Sequence, residues 1–473
     1  MTFWDDLKTA VKRPFAPAGS RPVPLPAQGV YHYQREDGDG RVRLHLRIEA
    51  DGRGFLSANA SRYYHFNATA AYMAYLALQG VGDQQAVASI AHYFNVPHRQ
   101  AKTDWLSFAA QMNEIIRPDA CPICDIQADT VQPFSQKPSA PYRMDLALTY
   151  RCNNACLHCY NPKGRAGDEL TTAQWKQVLD KVWSLGIAHV VFTGGEPTLR
   201  SDLPELIAHA QNLGQITGLN TNGRKLSDPA YVQQLVDAGL DHVQITLESH
   251  DEAIHDGMVA HPGAWKQTVA GIQNVLKTRL YVMTNTTMLA GNSSILTDTL
   301  DFLAQLGLPT IGLNALIYSG NGANVEGGLD ESQLPPLLDL ARKKTEQSGQ
   351  RLIWYTPTQY CHFDPQLLDL GVKGCTAALY NMCIEPDGGV LPCQSYYHPL
   401  GNFLTDEWDA IWNHELALRL RERRDLHPAC ANCVLLSECG GGCPLARLAC
   451  KQQEPIAIDP LRSEGTERTH VIH

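Results

Sequence analysis

Between residues 144 and 316 the sequence alternates short apolar runs with longer amphipathic ones, and does so six times. Strands are expected at 145–149, 189–193, 216–220, 242–247, 280–284 and 310–316, with helices at 172–185, 202–213, 230–238, 264–277 and 295–306. Such alternation dictates a parallel sheet, because each helix is the crossover that brings the chain back to the next strand. Six units rather than eight predict an α/β fold built on a partial (β/α)6 TIM-like barrel. Functional side chains then gather where the strands end.

Those strand ends carry unusual residues. Just past the first strand lies Cys152-Asn153-Asn154-Ala155-Cys156-Leu157-His158-Cys159, a C-x3-C-x2-C spacing. Three thiolates so close can cap three irons of a 4Fe–4S cluster and leave the fourth iron without a protein ligand, whereas electron-transfer clusters are closed by four cysteines. A zinc half-site is the competing reading of three near cysteines. The second strand ends in Gly194-Gly195-Glu196-Pro197, 35 residues after Cys159, and a glycine pair permits close backbone approach to a ligand. Thr221-Asn222-Gly223 follows the third strand. Thr246 and Glu248 end the fourth, and Asn285 and Asn314 lie on the fifth and sixth.

Together these motifs resemble the radical S-adenosylmethionine (radical SAM) enzymes. The resemblance implies that Cys152, Cys156 and Cys159 hold the catalytic cluster and that its open iron binds the amino and carboxylate groups of S-adenosylmethionine. It implies further cofactor contacts from His158, which stands where relatives carry an aromatic residue, and from Gly194, Gly195, Glu196, Thr246, Glu248 and Asn285, with Asn314 a weaker candidate. The chemistry implied is hydrogen abstraction by a 5′-deoxyadenosyl radical, fed by a donor such as flavodoxin or ferredoxin.

A second cysteine pattern follows. Twelve residues separate Cys375 from Gly388 and four separate Gly388 from Cys393; Cys430-x2-Cys433-x5-Cys439-x3-Cys443 and then Cys450 complete it. This resembles the SPASM extension of radical SAM enzymes, which implies two auxiliary 4Fe–4S clusters, three clusters in all. By resemblance Cys375, Cys383, Cys393 and Cys443 hold the first, and Cys430, Cys433, Cys439 and Cys450 the second. Zinc is the alternative for the C-x2-C repeat. Cys121, Cys124 and Cys361 remain; the first two form a C-x2-C of open meaning, and Cys361 reads as an ordinary residue. Sulfatase-maturing relatives carry an Asp that serves as base directly after the cysteine equivalent to Cys393; this chain has Gln394 there, which counts against sulfatase maturation.

The N-terminal region differs. After a proline-rich lead-in, residues 41–49 alternate Val42, Leu44, Leu46 and Ile48 with Arg43, His45 and Arg47, a half-buried strand. A turn at 51–54, a return strand at 55–60 and three helices starting near 67, 83 and 97 predict a winged-helix-like domain. It resembles the leader-peptide recognition domain typified by the pyrroloquinoline-quinone peptide chaperone, which implies that a precursor peptide's leader adds as a strand to an open sheet edge.

The domains expected are a loose lead-in (1–26), a recognition domain (27–118), a linker (119–143), the partial barrel (144–350), the auxiliary-cluster domain (351–459) and a tail (460–473). A net charge of −10 argues against a nucleic-acid groove, no apolar run is long enough to span a membrane, and 14 cysteines without a signal peptide point to the reducing cytoplasm. The function expected is an oxidoreductase-type maturase of a ribosomally made peptide, closing a thioether or carbon–carbon crosslink. Tetrapyrrole side-chain modification and sulfatase maturation are the alternatives.

Overall fold

The computed structural model describes residues 21–37, 40–60, 62–115, 137–162 and 167–449. Cys121, Cys124, Cys450 and the tail lie outside the described residues. Two compact units divide near residue 131.

The N-terminal unit is an antiparallel meander followed by helices. Strands β1 (Gly29–Asp37), β2 (Gly40–Ile48), β3 (Gly54–Ala58) and β4 (Arg62–Phe66) pair in sequence order. The expected hairpin is thus the centre of a four-stranded sheet. β2 is not half-buried: Arg43, His45 and Arg47 are as buried as the apolar residues between them. The polar face is covered by Trp183, which belongs to the same compact unit and meets His32 and His45 edge-on; His45 also stacks on His32, and Arg47 pairs with Glu49 at 2.8 Å.

Helix Ala68–Leu78 begins where the Asn67 side chain accepts from Ala70 N at 2.8 Å. It is apolar all round because both faces are covered. Ala71, Ala74 and Leu78 join the sheet core, while Tyr72, Met73, Leu76 and Ala77 pack on helices Asp83–Phe94 and His98–Ile115. Trp105, fully buried, donates to Asp83 at 2.9 Å and locks these two helices together. The lead-in is not loose where it is described: Val23 N donates to Ser89 Oγ at 3.0 Å, and the Tyr72 hydroxyl donates to Val23 O.

The larger unit is an open nine-stranded sheet. β5 (Arg143–Thr149), β6 (His189–Gly194), β7 (Ile216–Thr221), β8 (His242–Thr246), β9 (Tyr281–Met288) and β10 (Thr310–Ala315) run parallel in sequence order. These are the six expected strands, and the five expected helices alternate with them. Three strands were not foreseen. β11 (Arg351–Trp354) extends the β10 edge in parallel, while β12 (Asn381–Ile384) lies parallel to β5 and pairs antiparallel with β13 (Val390–Leu391). β12 and β13 are too short to show a period. The sheet does not close, so its strand tips and the loops after them frame one open end, with the outer face under helices such as Thr172–Ser184 and Leu203–Leu213.

Candidate active site

The cysteine loop leaves β5 at Thr149 and is held from four sides before any ligand is considered. Gly195 N donates to Thr149 O at 2.7 Å and Glu196 N to Arg151 O at 2.9 Å. A Cβ on Gly195 would stand 2.4 Å from Arg151 O, and one on Gly194 (φ +129°) 2.3 Å from Thr149 O. The glycine pair therefore serves the approach of β6 to the cysteine loop. From the β7 tip, Asn222 Nδ2 reaches Asn153 Oδ1 at 2.6 Å, and Arg224 reaches Asn154 Oδ1 at 2.8 Å and also Asn153 O. Helix Glu252–Val259 receives Ala155 N on Val259 O and Leu157 N on Met258 O. From the loop after β10, Asn321 donates to Cys156 O at 3.1 Å and Gly322 N to Cys159 O at 3.2 Å. Arg224 and helix Glu252–Val259 were missed: an arginine in a turn and an eight-residue helix without strong periodicity give no signal.

The thiols feel burial and one another. Burial pushes Cys152 up to about 11, with Glu196 and Cys159 adding to it. Burial also raises Cys156 strongly, with Cys159, Glu248 and Cys152 as further causes. Cys152 and Cys156 therefore stay protonated in the free protein near neutral pH, but a bound metal deprotonates a coordinating thiol outright. Among the described residues no three Cys, His, Asp or Glu side chains converge as ligands of one metal ion. In a 4Fe–4S cluster each thiolate takes its own iron, so convergence on one point is not needed.

The acidic side chains at the tips are occupied. Glu196 is fully buried; its Oε1 accepts from Thr198 N, Thr198 Oγ1 and Thr221 Oγ1, and its Oε2 from Asn222 N at 2.8 Å. Glu248 Oε1 meets His158 Nε2 at 2.8 Å, and Oε2 accepts from Thr287 N at 2.8 Å. Glu196 thus ties β6 to β7, and Glu248 ties the cysteine loop to β9. Burial opposes protonation of His158 while Glu248 favours it, and the net shift is upward. Thr246 and Asn285 lie side by side in register on β8 and β9. Asn285 Oδ1 and Asn314 Oδ1 are buried acceptors without a partner, as a site that receives N–H donors requires.

The C-terminal cysteines form two groups. Burial pushes Cys375 and Cys393 up to about 12; Cys443 adds to both, and Cys375 adds to Cys393. Cys383 lies buried on β12 and acts electrostatically with Cys393, but also with Asp145 and Glu385. Cys430, Cys433 and Cys439 form the other group. Tyr360 N and Gly441 N each donate to Cys439 Sγ at 3.3 Å. Arg423 and Arg447 act on thiols of both groups and supply the positive charge that anionic clusters need. This donor set fits iron–sulfur clusters.

A tyrosine network, not foreseen, joins the first group to the cysteine loop. The Tyr397 hydroxyl donates to Asn161 Oδ1 at 2.6 Å, Asn161 Nδ2 donates to Gly194 O at 2.7 Å, and the Tyr150 hydroxyl donates to Glu385 Oε1 at 2.8 Å.

Residues 146–314 match the profile of the radical SAM superfamily, and residues 375–434 that of the SPASM iron–sulfur cluster-binding domain. Over 336 residues the chain is 30% identical to the mycofactocin maturase MftC of Mycolicibacterium smegmatis, which covers 67% of this chain and 81% of MftC. The chain belongs to the radical SAM superfamily. It is also 29% identical over 332 residues to the PqqA peptide cyclase of Xanthomonas campestris (68% of this chain, 86% of the cyclase). The chain is likewise 29% identical over 328 residues to the Fe-coproporphyrin III synthase of Methanosarcina barkeri (62% and 81%). The radical SAM fold is shared with Streptococcus suis SuiB bound to its precursor peptide SuiA, at TM-score 0.66 and 16% identity over 90% of this chain and 98% of SuiB. No described helix is long and apolar enough to cross a membrane.

Proposed function

We propose that this radical SAM enzyme modifies a ribosomally made precursor peptide and closes an oxidative crosslink, a thioether or a carbon–carbon bond. The observation that carries the reading is the Cys152–Cys156–Cys159 loop, fixed at the open strand ends, with Asn161 just after it bonded to Tyr397, which packs against the cluster of Ala147, Cys383 and Leu391. When bound, S-adenosylmethionine on a 4Fe–4S cluster supplies a 5′-deoxyadenosyl radical, and two auxiliary clusters supply an electron acceptor. The chain's own residues hold and orient. Cys152, Cys156 and Cys159 anchor the catalytic cluster. Thr246 and the unpartnered Asn285 Oδ1 receive polar groups of the cofactor, and the backbone around Gly194 and Gly195 lines its amino-acid end. Glu196, Glu248 and His158 keep these tips in place.

The names of PqqA peptide cyclase, MftC and peptide-bound SuiB support a peptide substrate. β1 and β4 are edge strands of the N-terminal sheet, and the leader would add to such an edge. A flavodoxin or ferredoxin serves as electron donor. The test is anaerobic turnover with a precursor encoded beside this gene: deoxyadenosine and a product lighter by two hydrogens are expected. Deoxyadenosine with an unchanged peptide mass overturns the crosslink.

The similarity to Fe-coproporphyrin III synthase favours a second reading, a tetrapyrrole substrate. Deleting residues 1–118 separates the two, since peptide modification is then lost and tetrapyrrole modification is not.

A further inference from the structure

The inner face of the parallel sheet carries a row of side chains that the proposed reaction leaves unused. Along β8 and β9 burial alternates. Val243, Ile245, Val282 and Thr284 are covered on the helix side, while Gln244 and Met283 on the other side are half-buried. Asn220 on β7 is half-buried in the same way. Strand register aligns Asn220, Gln244, Met283 and Thr310 as successive partners across β7 to β10. Thr246 and Asn285, proposed above for the cofactor, form the next row toward the strand ends. The next row toward the strand starts is filled: a Cβ on Gly218 would strike the His242 ring, which is itself held by His189 at 2.9 Å. The middle row therefore lies one repeat, about 7 Å, below the cofactor row, where a reacting C–H must come.

The chemistry of this row is narrow. Gln244 and Asn220 are primary amides side by side on adjacent strands, and neither has a hydrogen-bond partner among the described residues. The Tyr355 hydroxyl donates to Met283 Sδ at 3.1 Å and covers the β9 side. Ala147 and Thr193 continue the row on β5 and β6, so no charged residue stands in it. Arg143 and Asp145, in the rows beneath on β5, pair with each other at 3.0 Å. Two amides offer donors and acceptors together, whereas a charged group brought here would lack a counter-charge. We infer that Gln244 and Asn220 bind the main-chain amide of the target residue, donating to its C=O and accepting from its N–H, and so set which C–H faces the radical. The inference rests on the peptide reading above and narrows it to a target residue with an uncharged side chain.

The test uses the full reconstituted chain, dithionite as reductant and the precursor encoded beside the gene, and compares Gln244→Met and Asn220→Leu with the parent. Both replacements keep side-chain size and remove the amide. Deoxyadenosine formed without peptide should be unchanged. With peptide, KM should rise about tenfold in each variant, and more deoxyadenosine should be spent per modified peptide. Unchanged KM and coupling in both variants overturn the assignment and leave the peptide reading standing. An equal fall in peptide-free deoxyadenosine makes the effect structural and also overturns it. So does deuterium transfer into deoxyadenosine from a precursor labelled at Asp, Glu, Lys or Arg. A parent enzyme that leaves the precursor unmodified overturns the peptide reading, and the assignment with it.

Discussion

Glu196 shows how much a single side chain holds at this site. Four donors converge on its buried carboxylate. Glu196→Gln would set an amide N–H₂ against Asn222 N–H or the Thr198 and Thr221 hydroxyls, at a cost of about 1–3 kcal/mol. A lower urea midpoint with unchanged slope is expected. An unchanged midpoint would mean the carboxylate is not the tie between β6 and β7. Cys156→Ala should remove about four irons per chain and abolish deoxyadenosine formation; full iron retention would exclude Cys156 as a ligand. Cysteine spacing made these residues readable, because chelation fixes which side chains must be near in sequence. Arg224 and Tyr397 were not readable, because their partners lie 70 and 236 residues away. Nothing local records such distances.

Among elements, most long periodic ones were legible and the short ones were not, but the fifteen-residue helix Leu334–Ser348 was also missed. Five helices and six strands announce themselves by period. β11 to β13 have four residues or fewer, and they stand because longer neighbours supply their hydrogen-bond partners. The beginnings of β6 and β8 carry a feature with a pH consequence. His189 Nε2 and His242 Nε2 lie 2.9 Å apart, so one ring donates while the other accepts. Burial pushes His242 down to about 4. A histidine that titrates lower in the folded chain than in the unfolded chain gives stability above pH 6.5 that is lost as pH falls toward 4. Between pH 7 and pH 5 the loss is about 2 kcal/mol. Urea unfolding of the metal-free protein at both values, compared with His242→Asn, checks this: the variant should show a weaker pH dependence. Equal dependence in both proteins would move the effect elsewhere. In the N-terminal unit, a Cβ on Gly54 would stand 2.6 Å from Ala71 Cβ. Gly54→Ala should therefore push helix Ala68–Leu78 off the sheet at a cost of about 1–3 kcal/mol, visible as a lower thermal midpoint. An unshifted midpoint would show that the helix can move aside freely.

At the scale of the whole molecule, the two cysteine regions stand on different supports. The parallel sheet buries an extensive apolar core, whereas residues 375–449 contain only short helices and the β12–β13 pair. Metal binding and folding are coupled where a core is small. Stripping iron with a chelator should expose residues 375–449 to protease first and leave the sheet resistant. Simultaneous cleavage of both regions would mean that the sheet too depends on metal. The cysteine loop at the β5 tip needs no such help, since its backbone is pinned by Arg224, Asn321 and the end of helix Glu252–Val259, and Asn222 holds the Asn153 side chain. That difference sets a sequence of biogenesis. The nest for the catalytic cluster exists as soon as the sheet has formed and can wait empty for an assembly factor. The C-terminal region must receive its iron while it is still becoming ordered.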